Sequence, residues 1–132
     1  MIVTEDVAEI VLVAAVDPVS RRDMAAALGG AGFCVLTASD AVGALDLLRD
    51  FGATIDYLIT DIDLHDICSG LQVAHQFRFL KPYGAVVFLG SLGACDFQLF
   101  PDKIVIGRPV AISSVVEQLS RLRQERSERI YA

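Results

Sequence analysis

The stretch 57–70, "YLITDIDLHDICSG", places a cluster of polar side chains directly after an apolar run. The run ends at Asp61, and the further potential ligands that follow it closely are Asp63, His65, Asp66 and Cys68. Such a cluster could hold a metal ion, accept a phosphoryl group or cap the next helix. Hard and soft ligands packed this closely along one loop rarely converge on one ion, which disfavours a transition-metal site. The elements that position the cluster must decide between the other two readings.

The length of the chain favours a single domain. It has 132 residues, of which 54% are hydrophobic, enough to bury one sizeable core but too few for two. We therefore expect one domain over 1–132, with its core at about 9–123 and a helical tail at 124–132 that is solvated, frayed or used by a partner, since the apolar periodicity fades there.

The charge balance disfavours two classes of partner. Acidic residues outnumber basic ones by 17 to 11, for a formal net charge of −6, which disfavours binding to nucleic acid or to an anionic membrane. The apolar runs fall short of the ~18 residues that a membrane span needs, and no secretion signal opens the chain. We expect a cytoplasmic protein.

The cysteines predict little chemistry of their own. Cys34, Cys68 and Cys95 are odd in number, widely spaced and without a CxxC pair. This usage is typical of reduced, mostly buried thiols rather than of a disulfide framework or a zinc site. Cys34, between Phe33 and Val35, is expected in the core.

Apolar runs alternate with helical patterns along the chain. The predicted strands are 9–16, 33–38, 55–60, 85–90 and 103–107. Asp17 followed by Pro18 predicts the start of the first helix, and Ser39 or Asp40 caps the second. Further helices are predicted over 70–81 and 108–132, whereas 91–102 shows no convincing helical stripe. This alternation predicts a parallel sheet with helices on both faces.

The candidate site residues all follow predicted strands. Asp61 ends the third strand, Asp17 follows the first, Gly90 and Ser91 end the fourth, and Arg108 follows the fifth. Because the carboxyl ends of parallel strands meet at one edge of the sheet, these residues are expected around a single crevice.

This order of motifs resembles the receiver domain of bacterial response regulators, the CheY-like superfamily of two-component signalling, from about residue 10 to residue 122. The segments that carry the resemblance are "VLVAAVDPVSR", "DYLITDIDL", "VVFLGS" and "IVIGRP". It implies a flavodoxin-like (βα)5 fold, a doubly wound parallel five-stranded sheet of order 2-1-3-4-5, here with a shortened fourth helix. It also implies that Asp61 is the phosphoacceptor, Gly90 or Ser91 the switch position, and Arg108 with Pro109 the counterpart of the family's lysine and proline.

The departures from the family pattern fall on its metal site. Receiver domains hold Mg²⁺ with an acidic pair, whose positions here carry Ala15 and Val16. Asp61, Asp17 and Asp63 are the remaining candidate ligands, and the loss of two carboxylates predicts weak Mg²⁺ binding at most. Arg108 keeps a positive charge at the lysine position and is expected to form a salt bridge with Asp61.

Two functions follow as hypotheses. The first is an atypical receiver-like signalling domain with a degenerate phosphorylation site, which is no enzyme beyond autophosphorylation at Asp61 from a phosphodonor. It would act through contacts with a histidine kinase or another signalling protein, or as a homodimer, by its strand 4 to helix 5 face. The second is a small-molecule or nucleotide binder, in which the crevice near Ala15, Val16 and Gly90 has been emptied of carboxylates to make room for a ligand.

Overall fold

The computed structural model describes residues 8–93 and 95–131 and contains a five-stranded parallel sheet of order β2-β1-β3-β4-β5. The strands are β1 (Ile10–Ala14), β2 (Cys34–Ala38), β3 (Tyr57–Asp61), β4 (Ala85–Leu89) and β5 (Ile104–Ile106). The helices are α1 (Pro18–Gly30), α2 (Ala41–Phe51), α3 (Ser69–Leu80) and α4 (Ile112–Tyr131), with a 3₁₀ turn at Gly52–Thr54. The predicted flavodoxin-like fold and its strand order are confirmed.

The central strands are buried because helices cover both faces of the sheet. Side chains alternate between the faces, so Leu12 of β1 joins a core with Phe77 of α3. Val13, on the other face, joins Met24 of α1 and Leu119 of α4. Strands buried on both faces need an uninterrupted apolar sequence, which explains why apolar and polar residues do not alternate along them.

Two helix starts follow the predicted capping. The carboxylate of Asp17 accepts a hydrogen bond of 2.9 Å from the backbone N–H of Ser20, and Pro18 is the first helical residue of α1. Asp40, rather than Ser39, caps α2 by accepting a 2.7 Å hydrogen bond from the N–H of Gly43. The capping of α1 matters for function because it places its first turn beside the carboxyl end of β1.

The segment between β4 and β5 departs from the predicted shortened helix. The described residues of 90–103 form turns without a helix. Phe100 is buried and meets Phe88 with ring centroids 5.6 Å apart, while Phe97 meets the same ring edge-on at 5.1 Å. Aromatic anchoring to the core therefore holds this short segment in place of an amphipathic helix.

The cysteine prediction was wrong on two counts. Cys68 and Cys95 form a disulfide, with their Cα atoms 5.8 Å apart, because the fold brings together the loops that follow β3 and β4. Cys34 is exposed rather than in the core, since it begins β2 at the edge of the sheet. Spacing along the chain carries no signal for such a contact.

The last helix is also better anchored than its sequence predicts. Arg126 donates to Glu9 at 2.9 Å and to Asp56 at 2.7 Å, which joins α4 to the amino ends of β1 and β3. Arg123 lies over the Phe33 ring, 4.4 Å from its centroid. The tail at 124–132 is thus held at the half-buried Arg126, while residues 124, 125 and 127–129 are exposed. Of that tail, residue 132 lies outside the described residues, as do residues 1–7 of the expected single domain, which stays a prediction.

Gly70 sits where α3 passes closest to β3. A Cβ atom added there would lie 1.8 Å from the backbone oxygen of Asp61, far inside van der Waals contact. The N–H of Gly70 donates to the oxygen of Ile62 at 2.8 Å, so the close approach is part of the backbone that presents Asp61.

We expect Gly70→Ala to lower the free energy of unfolding by about 2 kcal/mol or more, because neither backbone can yield without disturbing the sheet. Urea denaturation measures the change. Gly29→Ala is the matched control, since no atom lies within 4 Å of its added Cβ and alanine is favoured over glycine in a helix. Equal stability of the two variants would contradict the role assigned to Gly70.

Candidate functional site

The crevice is centred on the carboxylate of Asp61, the last residue of β3. The residue is almost fully buried, at 5% exposure. Asp61 Oδ2 accepts a 2.8 Å hydrogen bond from the backbone N–H of Val16, which follows β1. Since β1 and β3 are paired in parallel with Ala14 opposite Thr60, the register itself brings this N–H to the carboxylate.

Arg108 approaches the same carboxylate from the end of β5. Its Nη2 lies 3.5 Å from Asp61 Oδ1, and its side chain remains 62% exposed. The predicted salt bridge between these residues is present. It places a cationic group on one oxygen of Asp61 while the N–H of Val16 occupies the other.

A second guanidinium lies beside the crevice, and no role was predicted for it from the sequence. Arg21 Nη1 donates to the backbone oxygen of Ala15 at 2.7 Å and to that of Val16 at 3.3 Å. Its position on the first turns of α1, after the Asp17 cap, was the only available signal. The two positions that lack carboxylates thus have an arginine on their carbonyl oxygens.

The other candidate carboxylates each accept a hydrogen bond from a backbone N–H group. Asp17 caps α1, and its hydrogen bonds with Ser20 hold the pKa of its carboxyl below the usual value. Asp63 accepts a 2.7 Å hydrogen bond from the N–H of Cys68. Among residues 8–93 and 95–131, Asp61 does not join Asp17 and Asp63 in a group of ligand atoms within 4.8 Å of one another.

The environment of Asp61 disfavours its charged form. Burial raises the pKa of this carboxyl above the ordinary value of 3.8 and is the largest influence on it. The Val16 N–H and Arg108 act in the opposite direction, whereas Asp17 and Asp63 raise the pKa further. The Val16 N–H and the Arg108 guanidinium thus offset only part of the cost of burying the charge of Asp61.

Gly90 faces Arg108 across the crevice. It is buried, its φ is +123°, and an added Cβ would lie 3.7 Å from Arg108 Nε. Ser91 is exposed. Position 90 therefore points at the candidate site and carries no hydroxyl, while the choice between Gly90 and Ser91 as switch position stays a prediction.

Two cavities are lined by both members of the ion pair between Asp61 and Arg108. One has a volume of about 300 Å³ and an apolar wall that includes Ala15 and Leu89. The other has a volume of about 440 Å³ and includes His65. Pro109 also lines the smaller cavity. The cluster of potential ligands after β3 does not converge on one point within the described chain. Its members are Asp61, Asp63, His65, Asp66 and Cys68.

Comparison with known proteins finds relatives among solved structures alone. No protein-family model matches the chain, and no curated protein matches its sequence. A response regulator receiver protein from Sinorhizobium medicae is 28% identical, with a TM-score of 0.76 over 87% of this chain and 94% of that one. The receiver domain of the hybrid histidine kinase CckA is 22% identical, with a TM-score of 0.71 over 85% of this chain and 96% of that one. A CheY-like receiver domain from Methanospirillum hungatei is 16% identical, with a TM-score of 0.76 over 93% and 99%.

The chain therefore has the fold of response regulator receiver domains, and the low identities mark it as divergent. This confirms the resemblance to receiver domains and the receiver fold that the resemblance implied. In the described part of the chain, no helix is long and apolar enough to cross a membrane.

We expect Asp61→Asn to stabilise the protein at neutral pH by on the order of 1 kcal/mol, because it removes a buried and incompletely compensated charge. The amide oxygen can still accept from Val16 N–H. A raised folded pKa means that the folded wild type binds more protons than the unfolded chain between pH 3.8 and the folded pKa. Wild-type stability therefore falls as the pH rises through that window, while the variant lacks this loss.

Thermal unfolding at a series of pH values tests this expectation. The advantage of Asp61→Asn should be absent below pH 3.8, grow through the window and then level off. Asp23→Asn, at an exposed position of α1, is the control for loss of one carboxylate and is expected within about 0.5 kcal/mol of wild type. A variant less stable than wild type at neutral pH would contradict the assignment.

Proposed function

We propose that this protein is an atypical receiver-like signalling domain that works through protein–protein contacts and not through Mg²⁺-dependent phosphorylation. One observation carries the proposal: the buried Asp61, at the phosphoacceptor position, has the Arg108 guanidinium on one oxygen and apolar residues, Ala15 and Val16, at the acidic-pair positions. The acceptor is retained, but the groups that would gather a metal ion around it are not.

The residues present do not fit Mg²⁺. This ion demands near-ideal octahedral coordination by oxygen and is bound through carboxylates. The carboxylates of Asp17 and Asp63 each have one oxygen bonded to a backbone N–H group, and within the described chain neither forms a group of close ligand atoms with Asp61. Arg108 and Arg21 add positive charge beside it, which opposes the arrival of a divalent cation.

Partner binding is assigned to the face formed by β4, β5, the segment 90–103 and α4. This is the face through which the resembled family signals. On it, Leu92 is 42% and Leu99 is 69% exposed, next to the anchored Phe97 and Phe100. A histidine kinase or another signalling protein is the proposed partner, in keeping with the CckA neighbour, whose receiver domain belongs to a hybrid histidine kinase. A second copy of the chain would use the same face.

The cavity of about 300 Å³ gives a second candidate function. Its volume is at the small end of the range for ligand pockets, and Ala15 leaves room where the family has a carboxylate. A small ligand with an anionic group could bind there against Arg108. Mass spectrometry of the denatured purified protein tests this candidate, which requires a copurifying small molecule in stoichiometric amount.

We expect no phosphorylation-like response of the wild type. Acetyl phosphate or beryllofluoride with millimolar Mg²⁺ should leave the amide resonances near Asp61 unchanged in heteronuclear NMR spectra, because no metal site gathers the charge. Asp61→Asn supplies the baseline. Shifts that occur in the wild type and vanish in Asp61→Asn would overturn the proposal in favour of a phosphorylated receiver.

Restoring the acidic pair should restore metal binding. We expect the double variant Ala15→Asp and Val16→Asp to bind Mg²⁺ at least about tenfold more tightly than wild type, since two added carboxylates return the lost charge. The affinity for Mg²⁺ is read from the NMR shifts of the backbone amides near position 16 as Mg²⁺ is added. The variant with asparagine at both positions is the control of matching size, and equal Mg²⁺ affinity of both variants would contradict the explanation by charge.

A further inference from the structure

The disulfide between Cys68 and Cys95 joins two loops that flank the candidate site. Cys68 ends the loop after β3, which carries Asp63 and His65. Cys95 lies in the segment after β4, where the described residues form neither helix nor strand. The covalent bond therefore crosses between two segments that no strand pairing connects.

The loop on the Cys68 side is held in place without the disulfide. The hydroxyl of Ser69 accepts from Leu64 N–H at 2.7 Å and donates to the oxygen of Asp66 at 2.8 Å. Asp63 accepts from the N–H of Cys68. Cys68 itself has a left-handed backbone conformation, with φ of 60°, which these hydrogen bonds stabilise.

The position of the segment on the Cys95 side depends much more on the disulfide. Residues 91–93 are exposed, and the N–H of Cys95 makes a long, 3.3 Å hydrogen bond to the oxygen of Leu92. Aromatic packing begins only at Phe97. Between Gly90 and Phe97, the sulfur of Cys95 is thus the principal anchor of the described chain.

We propose that Cys68 and Cys95 form a reversible thiol–disulfide couple that fastens the segment 90–97 to the loop after β3. Both residues are only partly buried, so a small thiol or disulfide can reach them, and accessibility to such reagents is what makes a disulfide reversible. The inference does not depend on the function proposed above.

The couple needs only a low-molecular-weight disulfide as its oxidant. One cysteine thiolate attacks that disulfide, forming a mixed disulfide and releasing one small thiol. The second cysteine thiolate then attacks the mixed disulfide, the Cys68–Cys95 bond forms and the second small thiol leaves. The two protein thiols lose two protons and two electrons in total, and the reagent takes them up.

The third cysteine cannot take part within one folded chain. Cys34 pairs with Ile10 at the amino ends of β2 and β1, whereas Cys68 and Cys95 follow the carboxyl ends of β3 and β4. It is exposed, however, and would react with the same reagents. A Cys34→Ser protein therefore isolates the chemistry of the couple.

Hydrogen exchange of the Cys34→Ser protein, measured by mass spectrometry, tests the proposal. Reduction with dithiothreitol should speed amide exchange in 90–97 by about tenfold or more, change 62–69 less because Ser69 holds that loop, and leave β3 unchanged. The melting temperature should fall by roughly 10 °C. Oxidised glutathione should restore the original exchange pattern and lower the intact mass by that of two hydrogen atoms.

A variant with serine at all three cysteine positions controls for effects of the reagents and should respond to neither. Unchanged exchange in 90–97 on reduction, or accumulation of a mixed disulfide that never resolves, would overturn the proposal. Asp63 lies with the two sulfur atoms in a group whose ligand atoms are within 4.8 Å of one another. Stoichiometric Zn²⁺ binding to the reduced protein that blocks reoxidation would therefore also overturn it, and would assign these residues to a metal centre.

Discussion

The buried carboxylate of Asp61 is the constraint on which the rest of the site depends. A charge at 5% exposure is costly unless donors surround it. The parallel register of β1 and β3 supplies the Val16 N–H, and the end of β5 supplies Arg108. Gly70 allows α3 to approach the backbone of Asp61 closely enough to complete this arrangement. The site is therefore a property of the sheet and not of one loop.

The proposed function requires a receiver fold that works without a metal ion, and the same arrangement supports this proposal. In the resembled family, Mg²⁺ offsets negative charge at this place, but here guanidinium groups stand on Asp61 and on the carbonyl oxygens of Ala15 and Val16. Arginine cannot be deprotonated in proteins, so the two guanidinium groups keep their positive charge at every pH at which the protein is folded. A metal ion, by contrast, can leave and return. We infer a resting state that does not depend on metal, which favours signalling by partner contact over signalling by phosphoryl transfer.

The elements of the fold could be predicted from the sequence because their determinants are local. Apolar runs without alternation identified the buried strands, and Asp17 with Pro18 identified the start of α1. Position within this fold then placed Asp61 and Arg108 at one crevice, as the distance between them confirms. Contacts between distant segments left no such signal. The disulfide of Cys68 with Cys95, the pairing of Arg126 with Glu9 and Asp56, and the aromatic anchoring of 90–103 all depend on tertiary neighbours. Nor did any local pattern assign a role to Arg21.

We propose that the positive charge of Arg108, and not a metal ion, offsets the negative charge of the Asp61 carboxylate. Carbon-13 NMR titration of the Asp61 carboxyl, in wild type and in Arg108→Gln, with and without Mg²⁺, tests it most directly. We predict a pKa above the ordinary 3.8 in wild type, a still higher pKa in Arg108→Gln because the favourable charge is removed, and no change on adding Mg²⁺. A pKa that Mg²⁺ lowers in wild type, and that Arg108→Gln leaves unchanged, would contradict the claim.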